Sequence, residues 1–411
     1  MGPALSVLHE GSCSANKNRG TGADAPKPKL DKAMSLTISL HESDFGISPA
    51  QNPKFLGDWP KEDLLKGLQE SGILKKLAAR GFSDLQLDMD TSDFFVHRLT
   101  LTDGSVKHNR APDSFLAQLF VRRRSLDLDD LIIESTRSKT FAGLVGDKLK
   151  AQEKEWMRQT APSHTEASIL EFLRLQDPRR SFEEGGSERG PLPGQLHPGL
   201  GIAREINAMV KEGARRRGRD LLVNRPDYFH NAVMYSQEYV FVSPIFQGCF
   251  DVMTSDLSAD LKQKGLGALS WAVHSKALSV VTDRRGGGGE AELEGKEKGR
   301  ESPSHPSSPS TAAIPFYWDP PLQVLPISSG WQQYFSSEGY ARLRAEARAS
   351  VQSLVERLQR EGVGTSRAFS IDWDSEAGAA ALRFSSPGAL ERVGTNIKLS
   401  HSVLGQSVHE K

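Results

Sequence analysis

The pattern of apolar and polar positions becomes regular only after Pro60. Leu64, Leu65 and Leu68, then Ile73, Leu74 and Leu77, recur at helical spacing, and Gly72 between the groups predicts two short helices. From residue 83 the period changes to two. In SDLQLDM (83–89), Leu85, Leu87 and Met89 alternate with Asp84, Gln86 and Asp88, the pattern of a half-buried strand. FFVHRLTL (94–101) and FLAQLFVRR (115–123) predict two further strands, with Asp103-Gly104 as a turn before Val106. A charged stretch at 144–158 reads as helix, and SILEFLRLQ (168–176) as a fourth strand.

A loop over 178–198 rich in Gly, Pro, Glu and Arg ends in LPGQLHPGLG (192–201). Ile202, Ile206, Met209, Val210 and Ala214 then form one apolar stripe, with Arg204, Glu205, Lys211, Glu212 and Arg215 on the opposite face. Gly218 is placed to stop that helix. DLLVN (220–224) reads as a short strand, Pro226-Asp227 as the first turn of a helix to about Gln237, and YVFV (239–242) as another strand. Residues 255–277 read as helix, and IPFYWDPPLQVLPI (314–327) as extended chain. Tyr340, Leu343, Ala347, Val351, Leu354, Val355 and Leu358 trace a long helix over 340–361, stopped by Gly362, and 367–385 reads as a closing hairpin.

Two helices, then antiparallel-looking strands, then alternating helix and strand predict an α+β fold: a mixed, mostly antiparallel sheet flanked by helices, with a C-terminal helical extension. The expected organisation is a largely disordered segment at 1–55, an α+β domain at 56–250, a helical connection at 251–283, a low-complexity insertion at 284–312 and the extension at 313–411. The insertion, GGGGEAELEGKEKGRESPSHPSSPS at its centre, lacks the apolar residues a core needs. Limited proteolysis is expected to cut it first and leave two associated fragments; uniform protection of 284–312 would refute that reading.

Composition narrows the function classes. The 411 residues carry 52 Lys+Arg against 52 Asp+Glu, so the formal charge is zero and a globally basic nucleic-acid binder is excluded. No apolar run approaches the roughly 18 residues of a membrane span, which predicts an intracellular, most simply cytoplasmic, protein. The first 33 residues hold no apolar h-region, and their basic excess is compatible with organellar import. Two cysteines, Cys13 and Cys249, cannot build a disulfide framework, and 11 scattered histidines show no HExxH or CxxC pattern, so no metal site is expected.

The most informative local feature is a strand, then HPGLG, then an amphipathic helix. Gly199 and Gly201 at a helix N-terminus leave backbone N–H groups to face an anion, with the helix dipole adding attraction, or else serve only as a tight turn. It is neither a dinucleotide fingerprint nor a P-loop. With the strands before it and the HNAVMYSQEYVF segment after it, the arrangement resembles the GNAT acetyltransferase superfamily over roughly residues 60–245. The stretch from LRLQ to NRPDYFHNAVMYS also resembles uncharacterised bacterial proteins.

The resemblance implies an acyl-CoA-dependent N-acyltransferase that takes acetyl-CoA or another acyl-CoA as co-substrate and a small-molecule or protein amine as acceptor. That family's loop reads Gln/Arg-x-x-Gly-x-Gly/Ala and grips pyrophosphate through backbone amides. Here Gly199, Leu200, Gly201 and Ile202 occupy the grip, Gln195 stands one place early, Leu196 fills the Gln/Arg position, and Pro198 lacks an N–H. Tyr235 matches the tyrosine that protonates the departing thiolate. Glu171 and His230 are the available bases. Leu196 and Pro198 suit the alternative, a GNAT-like module that binds in the same cleft without chemistry. A third reading takes Arg215, Arg216, Arg217 and Arg219, with Arg204, as phosphate contacts, but without interleaved aromatics nucleic acid is not the expected partner.

Overall fold

The computed structural model describes residues 54–93, 95–104, 114–182, 190–281, 313–362 and 365–386. The insertion at 284–312 and the chain after Gly104 up to 113, including Val106, lie outside these residues. The predicted pair of N-terminal helices is present as α1 (Lys61–Glu70) and α2 (Ile73–Ala79), separated by Gly72 at φ +76°. The strands follow as β1 (Leu85–Asp90), β2 (Val96–Asp103) and β3 (Ala117–Asp127). Next come α3 (Leu128–Thr136), α4 (Lys139–Ala142) and α5 (Asp147–Thr160), then β4 (His164–Leu175). The chain continues through α6 (Ala203–Arg216), β5 (Leu221–Asn224), α7 (Phe229–Tyr235) and β6 (Val240–Phe241). Helices α8 (Pro244–Asp256) and α9 (Ser258–His274) precede β7 (Leu278–Val280), β8 (Ile314–Pro315) and β9 (Gln323–Pro326). The last elements are α10 (Ser329–Ser336), α11 (Glu338–Arg360), β10 (Phe369–Ile371) and α12 (Glu376–Phe384).

The fold is mixed α+β. A seven-stranded sheet runs β1-β2-β3-β4-β5-β9-β6, parallel only between β4 and β5, and a three-stranded sheet runs β10-β7-β8. Helices cover both faces of the large sheet. On one, α1, α2 and α6 bury Leu68, Ile73, Leu77 and Ile206 against Leu87, Leu101 and Leu116. On the other, α3, α5 and α10 bury Leu131, Ile132, Met157 and Trp331 against Leu126, Ala167, Leu221 and Val223.

The expected edge at residue 250 does not separate two cores. One apolar cluster joins Phe141 and Leu144, before that edge, to Met253, Leu269, Leu343 and Leu354 after it, and β9 lies inside the large sheet between β5 and β6. Helix α11 turns the whole predicted stripe inward, with Tyr340, Leu343, Ala347, Val351, Leu354 and Leu358 buried. Its contact with α8 requires glycine: a Cβ on Gly248 would sit 2.4 Å from the Arg344 carbonyl oxygen.

Two local expectations are corrected, and one helix has no counterpart in the sequence pattern. Residues 367–385 are not a hairpin, because β10 pairs with the distant β7 and the alanine-rich EAGAAALRF forms α12, capped where the Ser375 hydroxyl accepts from the Gly378 amide at 3.1 Å. Helix α7 starts at Phe229 rather than Pro226, since Tyr228 is extended and the Pro226 carbonyl is held by the Trp318 indole N–H at 2.8 Å. Helix α8 shows no apolar period because residues 244–250 are all buried; only Ser243 as cap and Pro244 at the first turn mark its start.

Candidate functional site

The site begins where β4 and β5 part. They pair in parallel over Ala167–Leu170 and Leu221–Asn224 only. Strand β5 then ends at Arg225-Pro226, whereas β4 runs five residues further. At this point β4 also carries a bulge: Val121 faces Leu170 and Phe120 faces Phe172, so Glu171 is the extra residue. A bulge bends and twists its strand, which draws β4 away from β5 beyond Leu170. Asn224, the last residue of β5 to pair with β4, is 4% exposed, and its buried side-chain N–H₂ is unpartnered among the described residues. Its cross-strand neighbour Gln323 is fully buried and likewise has an unpartnered amide oxygen, while its N–H₂ donates to the Ala232 carbonyl of α7 at 3.2 Å. A facing donor and acceptor left open inside a protein cost free energy unless water or a ligand takes them.

The loop before α6 lies against the C-terminal end of β4, where the Asp177 amide donates to the Pro198 carbonyl at 2.8 Å. Leu200 (1% exposed) and Ile202 (0%) drive into the core, which leaves the intervening Gly199 and Gly201 exposed. Gly201 has φ +65°, and a Cβ there would lie 3.2 Å from an Arg80 guanidinium nitrogen. Helix α6 has no side-chain cap at Ile202, so its first amides depend on solvent, a ligand or local acceptors. Glu205 takes one such place: its carboxyl is held below the usual range chiefly by the Lys76 ammonium, against a smaller opposing effect of burial, and by its own backbone N–H. Arg80 and Arg204 leave this corner positive for an anion.

Gln195 stands beside the first glycine, its side-chain nitrogen 3.8 Å from where a Cβ on Gly199 would lie. Its side-chain oxygen accepts from the Leu192 amide at 3.1 Å and closes its own turn. The three candidate catalytic groups are also dispersed. Tyr235, half-buried at the end of α7, packs beside Tyr239 with ring centroids 5.3 Å apart, in the cluster that includes Leu170 and Leu222. Burial raises its phenol pKa. Glu171 turns instead to Arg122 of β3, with 2.6 Å between charged atoms. His230 is buried on another side of α7, 2.7 Å from the Ser270 hydroxyl and stacked on Tyr228 at 5.4 Å. Burial lowers its pKa to about 4, so it is neutral at pH 7 and a weak base.

Arg80, Asn224 and Gln323 were not singled out by sequence. The available signal for Asn224 was a polar residue ending the apolar run LLV; Arg80 lies between the α2 stripe and the β1 pattern and belongs to neither, and only folding brings it to Gly201. Among the described residues there is no cluster of metal-ligating side chains, and no helix is long and apolar enough to cross a membrane. Compared with protein-family models, curated proteins and solved structures, the chain matches none.

Proposed function

We propose that this protein transfers an acyl group from acyl-CoA to an amine. The observation that carries the reading is the exposed glycine turn that opens α6 without a side-chain cap, with Gly201 at φ +65° beside the Arg80 guanidinium. Such a turn supplies backbone donors and positive charge for a pyrophosphate. The order of elements, four strands, a glycine turn opening a helix, a short strand and a helix carrying Tyr235, is the one on which the GNAT resemblance rests.

In this reading the amine nitrogen attacks the thioester carbonyl, the carbon–sulfur bond breaks, and the thiolate takes the Tyr235 proton. The amine proton passes to solvent, since Arg122 engages Glu171 and His230 is buried and neutral. That last point also supports the second reading, a module that binds acyl-CoA and performs no transfer.

Acetyl-CoA is expected to raise the melting temperature of the full chain, because a ligand bound only by the folded state stabilises it. Gly201→Val is expected to remove that shift. Valine opposes φ +65° and puts a branched side chain against Arg80. A variant that loses stability but keeps the acetyl-CoA shift would show the turn to be structural only.

A further inference from the structure

A second cavity, of about 630 Å³, lies between α1 and α6 over β2, β3 and β4. That volume falls within the roughly 300–1,000 Å³ of small-molecule sites. Leu64, Leu99, Leu119, Val121, Met209 and Val210 form its apolar walls. The four cations that line it are already matched: Lys66 with Glu70, Arg216 with Glu212, Arg217 with Asp58, and Arg219 with Asp58 and Glu166. No cation is left over for an anionic head group. Asp63, also on the lining, stands in the first turn of α1, where the helix dipole favours a carboxylate. Two uncharged side-chain groups on the lining have no partner among the described residues: the indole N–H of half-buried Trp59, whose ring lies under Arg217, and, on the floor, the hydroxyl of Ser168 of β4, which is 5% exposed.

Two glycines keep the space open. Gly67 lies inside α1 and Gly213 inside α6, positions where glycine weakens a helix relative to alanine. Packing does not demand either. A Cβ on Gly67 would meet the Met209 sulfur at 3.5 Å and one on Gly213 would meet the Trp59 ring at 3.7 Å, both ordinary contacts. Glycine at both positions therefore yields helix stability and leaves volume beside the cavity.

We propose that this cavity binds a neutral hydrocarbon ligand carrying a single hydroxyl or carbonyl group, whose polar atom pairs with Ser168. The site stands independently of acyl transfer. Apolar walls and paired cations select against charge, and an unmet hydroxyl on the floor selects for one hydrogen-bonding group. The chemistry fits a free lipid alcohol or the tail of a long-chain thioester.

The test is calorimetric titration of the full chain with decan-1-ol, with decanoate and decylamine as charged counterparts. Decan-1-ol is expected to bind at least tenfold more tightly than either ion. Ser168→Ala should weaken it by about 2–10-fold, the scale of one hydrogen bond. Gly67→Leu, and separately Gly213→Leu, should weaken it more than tenfold with no fall in the ligand-free melting temperature. Displacement by decanoyl-CoA and not by acetyl-CoA would assign the site to a thioester tail, and displacement by neither to a free lipid; both uphold it. Absence of binding, equal binding of either ion, or unchanged affinity in both leucine variants would overturn the proposal.

Discussion

Glu153→Gln is expected to melt above the wild type at pH 8 and to lose that advantage by pH 5. Glu153, on α5, is 2% exposed and holds the start of α8: its carboxyl oxygen accepts from the Ser243 hydroxyl at 2.5 Å and the Ile245 amide at 3.0 Å. A helix N-terminus and two donors favour the charged form. Burial opposes it and wins, raising the pKa from 4.5 to about 7. A carboxyl with a raised folded-state pKa helps stability fully below its unfolded value and loses that help as pH rises through the folded one. The window is therefore pH 4.5 to 7. The shift corresponds to about 3 kcal/mol at 1.36 kcal/mol per unit. Glutamine keeps the accepting oxygen and cannot ionise, so the wild type alone should decline across the window. His230 contributes the opposite slope: its pKa is lowered to about 4 by burial, so its share of stability falls as pH drops below 6.5. Subtracting variant from wild type removes that background. A difference in melting temperature that stays constant from pH 5 to 8 would show that Glu153 does not titrate there.

Tyr235→Phe is expected to lower acyl transfer about 10²–10⁴-fold, the usual contribution of a general acid–base group. Acyl-CoA affinity and melting temperature should change little. The ring keeps its packing beside Tyr239 and Leu170, and the hydroxyl makes no hydrogen bond among the described residues, so no buried partner is stranded. Burial keeps the phenol protonated at neutral pH, the state a donor needs. Transfer is measured across a panel of amines with acetyl-CoA, and hydrolysis of the thioester in their absence. A wild type that binds acetyl-CoA and acylates nothing in the panel would favour the binding module. Equal rates for both proteins would remove Tyr235 from the chemistry.

Local periodicity was sufficient for the amphipathic elements. The period-two run at Leu85, Leu87 and Met89 became β1, the stripe on α6 became the cover of the sheet, and the seven apolar positions of α11 faced inward because each pattern has only one face to bury. Where consecutive residues are all buried no face is distinguished, and over Pro244–Phe250 of α8 even Gln247 is inside, so no apolar period marks that helix. The small-residue alternation around Gly199 and Gly201 identified the turn, but which groups attend it depended on distant chain. Arg80 arrives from α2, Arg122 claims Glu171 across a strand pair, and Ser270 claims His230 from α9.

The sequence by itself determined the α+β class and the strand and helix on either side of the glycine turn, both of which follow from residues near one another in the chain. Tertiary structure alone decided that β9 enters between β5 and β6, that β4 and β5 separate at Glu171, and that Asn224 meets Gln323 without a partner. It likewise decided that α1 and α6 stand far enough apart to leave a cavity. Those outcomes depend on which surfaces meet after folding. Strand pairing and side-chain burial between segments as distant as Phe141 and Phe369 are set by the balance of whole cores, and no window of local sequence contains both partners.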